Sequence, residues 1–188
     1  MHPIKHFKTI TAHRHLVMLG CFRVGLYRQG LLHDLSKYSP AEFWQGAKYW
    51  QGTRSPNAGA REDVGYSTAW MHHKGRNKHH YEYWTDLSLQ TRRYEAVPMP
   101  TRYLVESFMD RVAACKTYRG RDYSDGDALA YLMRSEEYSL LHETSFRQLE
   151  FLLTMLRDRG EKRTFAFLRR VVLKEVPFSE WEARAKEF

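Results

Sequence analysis

The sequence predicts an all-α fold built as one domain. Helical apolar spacing recurs along the chain, and the strict alternation of a half-buried strand is almost absent. At 188 residues, with 43% hydrophobic and 14% aromatic side chains, the chain suits one sizeable core but not two. No internal repeat or low-complexity stretch divides it.

The elements follow in order. A first helix is expected from about Thr11 to Arg28, with Leu16, Val17, Leu19, Gly20, Val24 and Tyr27 near one face and Gly30 past its end. A short helix then carries His33 and Asp34. In "SPAE", Ser39 reads as an N-cap, Pro40 as the first helical residue and Glu42 as the reciprocal capping partner of a helix reaching about Trp50. "QGTRSPNAGARED" reads as a loop from its Gly, Pro, Ser and Asn content. "VGYSTAWMHHKG" predicts a short helix in which Tyr66, Ala69, Trp70 and His73 share a face before Gly75, so His73 points inward.

"GRNKHHYEYW" turns into a short helical or irregular piece, and residues 86–98 form a connector ending at "VPMP". From Thr101 to about Tyr118, Leu104, Val105, Phe108, Met109 and Val112 make the stripe of a helix, with Glu106 and Asp110 together beside it. After the loop "RGRDYSDGD", helices are expected at about 127–137, 139–159 and 162–174, with a tail helix after Ser179. "DYSDGD" lacks the full register and terminal glutamate of a calcium loop.

A formal charge of +8 permits binding to phosphates, nucleic acid or an anionic surface without choosing among them. Much of it is scattered, as in "RDRGEKR" and "FLRRVVLK", which read as solvated helix faces. "MHPIKHFKTI" has no apolar leader core, and no run approaches the roughly 20 apolar residues of a membrane span. A soluble, cytoplasmic protein is expected, with no membrane partner. Cys21 and Cys115 lack CxxC spacing and read as reduced, buried thiols.

The functional signal is the histidines. Seven of the ten fall between residues 13 and 80: His13, His15, His33, His72, His73, His79 and His80. A single histidine on an apolar face is ordinarily a satisfied core residue. The ordered set of His, His-Asp, His, His-His and Asp on separate segments points instead to metal, because neutral imidazole and carboxylate are the usual ligands of zinc, iron and manganese. His33 and Asp34 could meet at one ion despite their offset of about 100° around a helix.

At these residues the sequence resembles the HD-domain superfamily of metal-dependent phosphohydrolases, and especially a small uncharacterised family within it. "HRHLV" looks like the first-histidine helix, "LLHDLSK" like the central HD motif with its downstream lysine, and "FMDRVAACK" like the final-aspartate helix. "AWMHHKGRNKHHYEYW" adds the histidines of a two-metal variant. The resemblance implies a single HD-like helical bundle over residues 1–188, with a motif-bearing core at about 9–120 and helices from about 127 to 188 packed on it. The spacing from His13 to His33 is short for the superfamily, which leaves His15 as an alternative to His13.

The resemblance further implies two divalent ions of iron, manganese or zinc. His13, His33, Asp34 and Asp110 would hold one, and Asp34 would bridge to a second held by His73 and His80. His79 would be either a further ligand or a hydrogen-bond donor behind the ligands. Asp34 and Lys37 are the implied catalytic pair, with Lys37, Arg76 and Asn77 as substrate contacts and Lys74 and Lys78 drawing in an anion; the alternatives are a basic turn exposed to water for Lys74, Arg76 and Lys78 and a turn-fixing role for Asn77. Glu106 would orient a ligand or form a surface ion pair. The implied activity is hydrolysis of a small phosphate ester or nucleotide by a metal-activated water. The alternatives are an HD-type di-iron oxygenase, or a nucleic-acid or protein-binding module with a structural metal.

Overall fold

The computed structural model describes residues 1–135 and 140–188. Helix α1 (Pro3–Val24) begins well before Thr11, because the buried stripe runs backwards through His13, Ile10 and His6. Its inward face is His6, Ile10, His13, Val17, Gly20, Cys21 and Val24. Leu16, Leu19 and Tyr27, expected near that face, are exposed. α1 ends at Gly25, whose φ of 91° lets its N–H reach back to the carbonyls of Cys21 and Phe22.

Helix α2 (Tyr27–Leu32) contains Gly30 and stops before the HD pair, which the sequence reading placed on a helix. His33 is extended (φ −51°, ψ 127°), and Asp34 is left-handed (φ 53°, ψ 25°). A single 3-10 turn, Leu35–Tyr38, follows. Arg14 on α1 clamps this break, donating from Nε to the His33 carbonyl at 2.7 Å and from Nη2 to the Leu31 carbonyl at 3.1 Å.

Helix α3 (Pro40–Tyr49) starts where "SPAE" predicts, but by different means. The Ser39 carbonyl accepts from the amides of Glu42 and Phe43, while its hydroxyl caps nothing. Glu42 turns inward instead of back onto the cap. The predicted loop at "QGTRSPNAGARED" is mostly helix α4 (Pro56–Val64). Its Ser and Pro are start signals: Ser55 Oγ accepts from the Asn57 amide and Pro56 opens the helix.

Helix α5 (Thr68–Lys74) is capped by Ser67 Oγ on the Trp70 amide at 3.1 Å. Its predicted inward face holds for Ala69 and His73, which are buried, while Tyr66 is exposed. Within the expected connector, β1 (Thr85–Leu87) and β2 (Tyr94–Ala96) form an exposed antiparallel hairpin, the one sheet among the described residues. Helix α6 (Thr101–Arg119) follows as predicted.

Helix α7 (Asp127–Arg134) precedes the undescribed residues, so the predicted helix end at 137 and start at 139 lie outside the described residues. The helices expected at 139–159 and 162–174 form α8 (Glu143–Arg170), broken at Gly160, where φ is 74° and ψ is 171°. α9 (Trp181–Ala185) closes the chain.

The core gathers Val17 and Cys21 of α1, Leu104, Val105 and Phe108 of α6, and Leu149, Leu152, Leu153 and Leu156 of α8. Gly20 lets α1 approach α6 so closely that a Cβ there would stand 2.8 Å from Met109 Sδ. Consequently His13 and Asp110 share one side of that contact. No described helix is long and apolar enough to cross a membrane.

Candidate metal centre

Four parts of the fold converge on one buried cluster. α1 supplies His13, the break after α2 supplies His33 and Asp34, α5 with the turn beyond it supplies His73, His79 and His80, and α6 supplies Glu106 and Asp110. The break removes the offset that successive residues on a helix would have. Aspartate is among the few residues that enter the left-handed region readily.

Asp34 stands at the centre, fully buried, with its two oxygens facing different partners. Oδ2 lies 3.4 Å from His33 Nε2 and 3.7 Å from His13 Nε2. Asp110 Oδ1 closes that side at 2.9 Å from His13 Nε2 and 3.3 Å from His33 Nε2. Oδ1 of Asp34 lies 3.2 Å from His73 Nε2 and 3.4 Å from His79 Nε2. Ligand-type atoms of His13, His33, Asp34 and Asp110 all lie within 4.8 Å of one another, as do those of Asp34, His73, His79 and His80.

The opposite nitrogens of the histidine rings are held by carboxylates. Glu106 Oε1 accepts from His33 Nδ1 at 3.0 Å and faces His79 Nδ1 at 3.2 Å. Glu42 accepts from His73 Nδ1 with one oxygen and from His72 Nδ1 with the other, both at 2.7 Å. A carboxylate on Nδ1 places the proton there and leaves the Nε2 lone pair for an ion. The Nε2 atoms of His33, His73, His79 and His80 and Oδ1 of Asp34 are buried without an aligned hydrogen bond, while Asp34 Oδ2 meets the Lys37 ammonium. Buried polar atoms are rarely left so. Imidazole Nε2 with carboxylate oxygen fits zinc, manganese or iron, and the orphaned atoms mark where such an ion would sit.

The electrostatics agree. Burial alone would raise the Asp34 carboxyl, but His33, Lys37 and His73 outweigh it and hold it well below the usual range. Asp110, Glu42 and Glu106 are likewise held down against burial by their histidine partners. Burial and neighbouring imidazoles keep His80 neutral, and burial with Lys37 does the same for His13. For His33, burial is overcome by Asp34, Asp110 and Glu106, which push it up to about 10.

Lys37 reaches the cluster, with Nζ 2.5 Å from Asp34 Oδ2. It also lines a cavity of about 720 Å³ walled by His13, His73, His80 and Asp110. The other predicted contacts are elsewhere. Arg76 is exposed, donates to the His72 carbonyl and does not line the cavity. Asn77 fixes the turn, one of its two expected roles, its amide donating to Ser36 Oγ at 2.9 Å and the His73 carbonyl at 2.8 Å. Lys74 and Lys78 are also absent from the cavity wall. His15 is exposed and bonds the Thr11 carbonyl, so the first histidine of the cluster is His13. Glu106 is buried and forms no surface pair. Cys21 and Cys115 are free thiols, Cys21 buried and Cys115 half-buried.

Two supporting residues are missing from the sequence reading. Arg14 carries no local signal. Glu42 has a faint one, since it shares the inward face of α3 with Gly46 four residues on.

Residues 2–155 match a protein family described as a family of unknown function, DUF5662. The chain belongs to that family. The match spans every member of the cluster, from His13 to Asp110. No curated protein and no solved structure matches the chain.

Proposed function

We propose that the chain is an HD-type, metal-dependent phosphohydrolase acting on a small phosphate ester or nucleotide, with two divalent ions of manganese, iron or zinc. The observation that carries this reading is Asp34, one carboxylate with each oxygen turned to a separate histidine-rich set. Charge supports the ions. Asp34, Asp110, Glu42 and Glu106 bring four carboxylates to the cluster against one ammonium, that of Lys37, and this excess of negative charge favours divalent cations there.

When bound, such ions lower the pKa of water toward neutrality and offset charge on phosphoryl oxygens. The residues of the chain do the rest. Asp34 ties the two positions together, and His13 with Asp110 closes the side facing the cavity. Lys37 lines that cavity as a point charge able to meet a phosphate oxygen. Arg61, Arg111 and Arg134 add positive charge to the wall, while Trp70 and Ile10 give it apolar surface. The volume suits a small molecule.

Elemental analysis beside a phosphate-release screen tests the reading. Two ions per chain are expected, with phosphate release lost in Asp34→Asn because an amide lacks the charge to bridge two cations. Iron-loaded protein that consumes oxygen and releases no phosphate would replace hydrolysis with the oxygenase. Absence of both activities, with salt-sensitive binding to single-stranded nucleic acid, would replace it with the binding module.

A further inference from the structure

Glu106 is 6% exposed and stands behind the cluster on α6, one turn before Asp110. Its Oε1 atom serves two rings at once, His33 at 3.0 Å and His79 at 3.2 Å. Those histidines belong to different halves. His33 groups with His13 and Asp110, whereas His79 groups with His73 and His80. Their rings are tilted against each other with centroids 4.4 Å apart, so neither turns without displacing the other. Glu42, by contrast, holds one member of the cluster, His73, and spends its second oxygen on His72 outside it.

We propose that Glu106 is a positioning residue that couples the two ion positions, fixing through one oxygen the orientation and tautomer of a histidine in each. This rests on the two-ion reading above and adds which residue makes the positions rise and fall together. Asp34 would hold both ions from the front; Glu106 would link the positions from behind by aligning a histidine of each. Loss of an outer carboxylate ordinarily weakens metal affinity about 10- to 100-fold. Removing Glu106 should therefore weaken both positions to that extent, and removing Glu42 should weaken only the position that contains His73.

The test is a titration of the metal-free protein with Mn²⁺, read by calorimetry and by electron paramagnetic resonance, which separates isolated from spin-coupled ions. Wild type is expected to show coupled pairs even below one ion per chain. Glu106→Gln keeps the size of the side chain and an accepting oxygen while removing the charge. It should raise both dissociation constants and yield isolated-ion spectra at low loading. Glu42→Gln should leave one constant near the wild-type value. Circular dichroism of each metal-free variant checks that the fold is retained, and Glu106→Gln is the variant of record if Glu106→Ala does not fold.

Weakening of a single position by Glu106→Gln, or equal effects of both variants, would overturn the coupling role while leaving the two-ion reading in place. Failure of wild type to bind Mn²⁺, Zn²⁺ or Fe²⁺ would remove that reading and the inference with it.

Discussion

Stripping the metal should lower the melting temperature by an amount the cluster allows to be bounded. Three buried Nε2 atoms, of His73, His79 and His80, lack an aligned partner in the metal-free chain. At about 1–3 kcal/mol for each unsatisfied buried polar atom, they place about 3–9 kcal/mol of polar burial cost on that state. An ion present at 100 times its dissociation constant stabilises a fold by about 2.7 kcal/mol, and two ions each at that saturation by about 5.4 kcal/mol. Both figures fit within the cost available to be relieved. For a chain of this length 1 kcal/mol corresponds to about 2–4 °C, so one ion should raise the midpoint by about 5–11 °C and two by about 11–22 °C. The assay is a thermal melt of chelator-treated protein, then of the same sample with Mn²⁺, Zn²⁺ or anaerobic Fe²⁺. In Asp34→Asn the increment should largely vanish, because both positions lose a ligand. A wild-type midpoint that moves by less than about 2 °C with all three ions would refute the argument.

Three further outcomes are expected. The metal increment should grow as pH rises from 6 to 9. His33, pushed up to about 10 in the folded metal-free chain against 6.5 when unfolded, contributes stability fully below 6.5 and loses it as pH rises through 10, while the ion competes with that same proton. The depressed carboxylates act in the opposite window, contributing above about pH 4 and losing that contribution as pH falls; melts across pH with and without metal separate the two. Lys37→Ala should keep the ions and lower turnover of phosphorylated substrates by more than tenfold, checked by elemental analysis beside kinetics. Gly46→Ala should destabilise by about 1–3 kcal/mol, since a Cβ there falls 2.3 Å from His6 Nε2, and His6→Ala in the same chain should recover much of the loss in a chemical denaturation series.

The members of the cluster are readable because metal chemistry restricts residue type and helices restrict phase. Helical spacing turns His73 inward and His72 aside, and it is His73 Nε2 that lies 3.2 Å from Asp34 while His72 meets Glu42. Phase could not resolve His79 from His80, because both lie beyond the helix, and the structure brings both into the cluster. It also failed at the HD pair itself, where a positive φ at Asp34 breaks the helix that periodicity extends. Nothing in "LLHDLSK" announces that break. It is held from another element, by Arg14 donating to the carbonyls of His33 and Leu31.

Glu42 shows why the outer carboxylates were harder to read than the ligands. In "SPAE" it sits where a capping partner belongs, and a cap of that kind is worth about 0.5–2 kcal/mol, gained from groups that water also satisfies. Turned inward, the same carboxylate accepts two hydrogen bonds at 2.7 Å from His72 and His73, each about 1.5–3 kcal/mol when an ionised group is involved. The tertiary partners outweigh the local one. Glu106 sits in a helix interior beside Leu104, Val105 and Phe108, where its place next to Asp110 allows either a ligand-orienting role or a surface ion pair and helical phase does not choose between them. Ligands announce themselves by chemistry that few residues share. Carboxylates behind them are common residues in ordinary helical positions, and their role exists only once α3 and α6 have packed against the histidines they orient.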